Sequence, residues 1–225
     1  MGAKRKPQNL LGLNCPEDID KKMVKEAIAN YSGFDYSDLV CLDLGANIGA
    51  FAKIALEAGA KRVICVECDK RNVEILKGNL KEYGERVVIL EGAVSGQDIT
   101  SIKIYKSKSK SNHCSVSTKK RTHGFEEYDE VENFHILDLM DDYKPELVKI
   151  DIEGGEFEFV NKELMKEIDF MYIELHQNSK TESDCDLIIS QLKEVYEDVD
   201  VKPNIYFNAI GGYDCFGGVR KLKNN

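Results

Sequence analysis

Three short apolar runs recur at a fixed interval along the chain: Asp38 to Asp43 (DLVCLD), Arg62 to Glu67 (RVICVE) and Arg86 to Glu91 (RVVILE). Their closing acids, Asp43, Glu67 and Glu91, stand 24 residues apart. A run that is apolar throughout, rather than alternately, fits a strand covered on both faces. The text between the runs reads as helix. Ile48 to Ala58 holds good helix formers and closes at Gly59, a natural C-cap, and Asp69 can cap a helix carrying Val73, Leu76, Leu80 and Tyr83. Strand and helix in alternation demand a parallel sheet, because parallel neighbours need a crossover.

The alternation extends in both directions. Ahead of it, Pro16 to Tyr31 places Ile19, Met23, Ala27, Ile28 and Tyr31 on one helical face, within a lead-in of residues 1–37. Over residues 95–139 it lapses into strand-like text from Ile99 to Ile104, a basic polar loop, and a second strand-like piece around Val131 to Leu137. This segment is expected to be an insertion between strands three and four. Leu147 to Asp151 and Phe170 to Leu175 read as strands four and five, separated by a short helix from Glu156 to Lys166. A helix from Thr181 to Tyr196 precedes Val199 to Lys202, Ile205 to Asn208, and Asp214 to Val219, the last as one more edge strand in an antiparallel tail. The expectation is an α/β fold in one domain spanning residues 1–225, with a mostly parallel seven-stranded sheet, helices on both faces and an antiparallel C-terminal strand.

Acidic residues outnumber basic ones by 40 to 31, a formal charge of −9, which disfavours a protein living mainly on nucleic-acid phosphates. No window approaches the roughly 20 apolar residues of a membrane span, and no apolar stretch follows MGAKRKPQNL to make a secretory signal, so the expected location is the cytoplasm. Lys6 stands where a myristoylation signal wants Ser or Thr. The seven cysteines are odd in number and scattered, as suits reduced thiols. Cys65 and Cys68 form a C-x-x-C, but no second pair stands at zinc-finger spacing, and the reading for both is structural.

The chemistry concentrates at the turn after the first strand, Asp43 to Gly49 (DLGANIG). Glycines between a buried strand and a helix let a ligand approach the backbone, and the helix N-terminus offers free N–H groups. Only Gly45 and Gly49 are present, four residues apart, so the turn is not G-x-G-x-x-G, and no Walker lysine follows. Asp43 before the first glycine repels a pyrophosphate and favours a cationic sulfonium and ammonium, as in S-adenosylmethionine. Glu67, about 20 residues beyond the turn, is placed to accept hydrogen bonds from both ribose hydroxyls. The cofactor set is Asp43, Gly45, Asn47, Gly49, Glu67, Cys68, Gly92 and Ala93, the last two at the adenine end. Asp69 is either a helix cap or a second support for the cofactor.

Three segments in order, Leu42 to Gly49 (LDLGANIG), Val148 to Glu156 (VKIDIEGGE) and Tyr172 to His176 (YIELH), resemble the class I methyltransferases and, among them, the FkbM-type family. The family commonly has alanine where Gly155 stands and proline where Cys68 stands. The resemblance implies a Rossmann-like class I methyltransferase fold and S-adenosylmethionine-dependent methylation of a hydroxyl on a sugar, glycan or natural-product scaffold.

Ligands of an open parallel sheet bind beyond the carboxyl ends of its strands, which brings Asp151, Glu174 and His176 to the crevice that holds Asp43. They are the catalytic candidates. His176 is the expected base for the hydroxyl proton, and Asp151 orients the acceptor or acts as base itself. The minority alternative is a divalent metal on Asp151, Glu174 and His176. Lys149, in a buried strand, either snorkels or pairs with a carboxylate, and Glu156 either serves the dipole of the following helix or contacts substrate. Glu153, His113 and Lys110 are the substrate-binding candidates. Between Ile99 and Phe125 there is no acid, while Lys103, Lys106, Lys108, Lys110, Lys119, Lys120 and Arg121 supply seven cations. This segment is a solvated loop or a lid that draws in an anionic acceptor. A nucleic-acid methyltransferase and a catalytically silent binding module are the alternatives, although the N/D-P-P-Y/F signature of amino methylation is absent, since Asp151 is followed by Ile152.

Overall fold

In the computed structural model of the chain, residues 10–16, 21–106, 114–116, 128–152, 154–176, 181–203 and 212–220 are described. The apolar runs are strands β1 (Val40–Leu44), β2 (Arg62–Glu67) and β3 (Val87–Glu91). Helix α1 (Lys21–Tyr31) precedes them, and α2 (Ala50–Glu57) and α3 (Lys70–Leu80) lie between them. Strands β4 (Ala93–Ser95), β5 (Ser101–Lys106), β6 (Cys114–Val116) and β7 (Tyr128–His135) follow, then α4 (Ile136–Tyr143). The chain continues through β8 (Leu147–Ile150), α5 (Lys162–Met165), β9 (Phe170–His176), α6 (Glu182–Val195), β10 (Tyr196–Pro203) and β11 (Gly212–Arg220).

Seven of these strands form one sheet in the order β10-β11-β9-β8-β1-β2-β3, parallel from β9 to β3, with β11 antiparallel to both of its neighbours. The strand order reverses at β1: sequence-consecutive strands run to one side, and the later β8 and β9 to the other. Such a switch point opens a crevice beyond the carboxyl ends of β1 and β8, where ligands of open α/β sheets bind. Register there sets Asp43 directly beside Lys149.

The parallel strands are buried on both faces, as their unbroken apolar text requires. Leu42, Leu44, Val148 and Ile150 face one core with Ile136, Leu139, Leu164, Met165, Ile188 and Leu192 from α4, α5 and α6. Cys41, Val63, Cys65 and Leu147 face the other with Ala27, Phe51, Ala55, Leu76 and Leu80 from α1, α2 and α3. Between β3 and β8, the short strands make a second sheet in the order β4-β7-β5-β6.

The structure departs from the sequence reading at three places. The helix expected from Glu156 to Lys166 is broken: Glu156–Glu158 is a single 3₁₀ turn, and α5 starts afresh where the Asn161 side chain accepts from the amides of Glu163 and Leu164 at 3.0 Å. Ile136 and Leu137 are not strand but the start of α4, capped by His135, whose Nδ1 accepts from Leu137 N at 3.3 Å. Strand β11 is interior, between β9 and β10, and not an edge. Its Gly217 lies against the Tyr196 ring, where a Cβ would come within 2.6 Å. Residues 205–208, read as a strand, fall outside the described residues.

Candidate active site

Building the site begins with the turn after β1. Gly45 and Gly49 both hold positive φ, +79° and +90°. A Cβ on Gly45 would lie 1.9 Å from the carbonyl oxygen of Asp151, so only glycine lets the turn pack on the end of β8. The amides of Gly45 and Ala46 donate to Val66 O at 3.0 Å, and Asn47 N donates to Glu67 Oε2 at 2.8 Å. Glu67 Oε1 accepts from Asp69 N, also at 2.8 Å. The ribose-binding candidate is thus first a brace between two loops. Its carboxyl is pushed above the usual range by burial, against the pull of those two amides. Asp69 is a helix cap, its Oδ1 accepting from Arg71 N and Asn72 N.

One cavity occupies the crevice. Gly45, Ala46, Asn47 and Ile48 of the turn line it, with Glu67 and Cys68 beyond β2, Gly92 and Ala93 beyond β3, and Lys149, Asp151 and Glu174 at the other end. Gly49 serves from behind, as the left-handed residue that starts α2. Helix α1 closes the cavity through Met23, Ala27, Asn30 and Tyr31. Asn72 also lines it, 2% exposed, and its Oδ1 is a buried acceptor without a hydrogen-bond partner among the described residues. An orphaned acceptor in a cavity wall has an unmet demand for a donor.

Asp43 lies beneath the turn. It is fully buried and does not line the cavity; its carboxylate points at Lys149, whose Nζ lies 3.1 Å from Oδ1. The two face each other because adjacent strands in register project side chains to the same face. Lys149 Nζ also donates to Gly45 O at 2.7 Å and lies 3.6 Å from Asp151 Oδ2. Burial alone would pull its ammonium down, but Asp43 and Asp151 outweigh this and hold it above its ordinary value. Asp43 therefore compensates a lysine under the turn, and Lys149 pairs rather than snorkels.

The catalytic candidates do converge. Asp151 follows β8, while Glu174 and His176 lie at the end of β9. His176 Nε2 is 3.9 Å from Asp151 Oδ1 and 3.8 Å from Glu174 Oε1. The carboxylates border the cavity, whereas His176, 8% exposed, stands behind them. A ligand atom from each of the three lies within 4.8 Å of the others, which is the geometry of a candidate cation site, yet the Lys149 ammonium already brings positive charge to Asp151. Glu153, His113 and Lys110 lie outside the described residues, as does most of the basic segment.

Two residues were missed. Tyr31, read only as part of one helical face, lines the cavity, and its phenol is pushed well up by burial and then by Asp151 and Glu174. Nothing in the sequence tells which side of the leading helix closes a crevice. Glu156 is fully buried and touches neither a helix dipole of any length nor the cavity; it holds His176.

The family model of the methyltransferase FkbM domain matches residues 43–198, from the carboxylate under the turn to β10. The chain belongs to the FkbM methyltransferase family. Among solved structures, the methyltransferase FkbM from Methylobacillus flagellatus KT is similar at 19% identity and a TM-score of 0.53. The match covers 81% of this chain and 45% of that one. A precorrin-6y C5,15-methyltransferase from Geobacter metallireducens GS-15 is similar at 13% identity and a TM-score of 0.48, over 90% and 91% of the two chains. No curated protein matches the chain significantly. The FkbM domain assignment agrees with the mostly parallel, Rossmann-like sheet. No helix among the described residues is long and apolar enough to cross a membrane.

Proposed function

We propose that this FkbM-family protein transfers a methyl group from S-adenosylmethionine to a hydroxyl of a sugar, glycan or small-molecule natural product. The observation that carries the reading is one continuous cavity that runs from Glu67, past the glycine turn, to Asp151 and Glu174. The residues fit the donor. Gly45 leaves the turn without a Cβ, Glu67 presents a carboxylate to a ribose, and the orphaned Asn72 Oδ1 offers an acceptor to an amino group such as that of adenine. Glu67, Asp151 and Glu174 line the cavity against Lys149, so its wall favours a sulfonium over a diphosphate.

When bound, S-adenosylmethionine supplies a methyl carbon already activated by positive sulfur; the acceptor oxygen gains the methyl, sulfur keeps the bonding pair, and the hydroxyl proton must leave. Positioning then supplies much of the rate. Asp151, whose side chain is 32% exposed at the cavity, meets that hydroxyl and accepts its proton, with His176 Nε2 behind it as the next proton acceptor. Glu174 shares the orientation of the acceptor. Labelled methyl transfer from S-adenosylmethionine, screened over sugar nucleotides, glycans, tRNA and DNA, tests the reading. Methylation of a hydroxyl that is lost in Asp151→Asn supports it; transfer to a nucleobase only would contradict it.

A further inference from the structure

Resting on the methyl-transfer reading above, we infer that Glu156 is a positioning residue: it holds His176 by Nδ1, so that Nε2 is the nitrogen that faces Asp151 and Glu174 and exchanges the proton of the reaction. Glu156 is 0% exposed. A carboxylate so placed is costly unless its oxygens are satisfied, and both are. Oε2 accepts from Gly154 N at 2.7 Å, closing the turn that follows β8. Oε1 accepts from His176 N at 2.9 Å and lies 3.0 Å from Nδ1 of the same residue.

One oxygen thus grips the histidine at its backbone and its ring. A carboxylate oxygen can only accept, so Nδ1 must bring the hydrogen, and the neutral ring then carries its lone pair on Nε2. That nitrogen points the other way, to Asp151 Oδ1 at 3.9 Å and Glu174 Oε1 at 3.8 Å. These separations exceed a hydrogen bond, as is common in sites without substrate, and a shift of about 1 Å makes them productive. Turning the ring over would break the Nδ1 contact and leave a buried carboxylate one donor short. Among the described residues, the charged groups around the ring include Glu156 from the 3₁₀ turn, Asp151 after β8 and Glu174 in β9, with Asp214 in β11 coupled to it electrostatically and Lys149 reaching it through Asp151.

The test is nitrogen NMR on the full chain with labelled imidazoles. The chain has four histidines, His113, His123, His135 and His176, and His176→Gln assigns the resonance of interest. As pH rises, His176 is expected to lose its proton from Nε2 and persist as the Nδ1–H tautomer. Glu156→Gln is expected to move the titration midpoint down, since a neighbouring carboxylate favours the imidazolium, and Glu156→Leu, which leaves no acceptor for Nδ1–H, to populate the Nε2–H tautomer. A wild-type His176 that is neutral as Nε2–H overturns the proposal, even should the variant fail to fold. So does an unchanged tautomer in a folded Glu156→Leu. Calorimetry with S-adenosylhomocysteine separates the two layers. Binding to Glu156→Gln within about threefold of wild type supports a role in positioning alone. A folded wild type that binds none overturns the catalytic role together with the reading it rests on, whatever the tautomer.

Discussion

The ammonium of Lys149 donates a 2.7 Å hydrogen bond to the carbonyl of Gly45, so β8 is tied to the glycine turn by the same group that neutralises Asp43. The glycine turn and Asp151 are thereby fixed to one another through one buried ammonium. Asp151 N completes the link by donating to Leu44 O at 3.0 Å.

Lys149→Met leaves the fully buried Asp43 without its counter-charge. Removing one partner of a buried pair typically costs about 3–5 kcal/mol, and urea unfolding should read a loss of this size. The double variant Lys149→Met with Asp43→Asn should recover part of it, because the residues are in contact and their effects do not add.

Gly45→Ala places a Cβ within 1.9 Å of Asp151 O, with φ at +79°. Both backbones would have to move, so the loss in thermal or urea unfolding should exceed about 4 kcal/mol. Gly33 has a similar φ of +92° but nothing within 4 Å of its built Cβ. Gly33→Ala should cost only the left-handed strain, about 1–2 kcal/mol. Equal effects of the two would contradict the close approach of turn and strand.

Stability should fall in alkali. Burial pushes the Cys41 thiol up to about 12, helped by Asp43 and Glu146, and burial pushes Cys215 up to about 12, helped by Asp214. From the ordinary value of 9.0 upward the unfolded chain releases these protons while the folded one keeps them. The stability they contribute is present below that pH and is lost at about 1.4 kcal/mol per pH unit per thiol as pH rises towards 12. Lys149, also held above its ordinary value of 10.5, adds to the loss in the same direction above that pH. Melting temperatures from pH 7 to 11 should decline beyond 9, and more gently in Cys41→Val.

The parallel sheet and the turn were legible because their signals are local. Apolar runs, capping residues and glycines each declare themselves within a few positions. What the reading lost was set by contacts distant in sequence. Asp43 gives no local sign of its buried partner Lys149, which register brings beside it from 106 positions away. Glu156 follows two glycines as a helix-starting acid would, and only the fold of the loop onto β9 turns it to His176. Strand β11, read as an edge, is interior, and its Gly217 makes room for the Tyr196 ring. Helix α4 is eight residues long and opens with Ile136 and Leu137 after a strand, so periodicity has too little text to separate the two.

Calorimetric titration of the full chain with S-adenosylhomocysteine, set beside Glu67→Ala and beside NAD, bears most directly on the cavity at β1 and β2. One site in the micromolar range, about −8 kcal/mol, is expected for the wild type, with binding at least about tenfold weaker in Glu67→Ala and none detectable for NAD. A folded wild type that takes up NAD and gives no heat with S-adenosylhomocysteine would contradict a methyl-donor site.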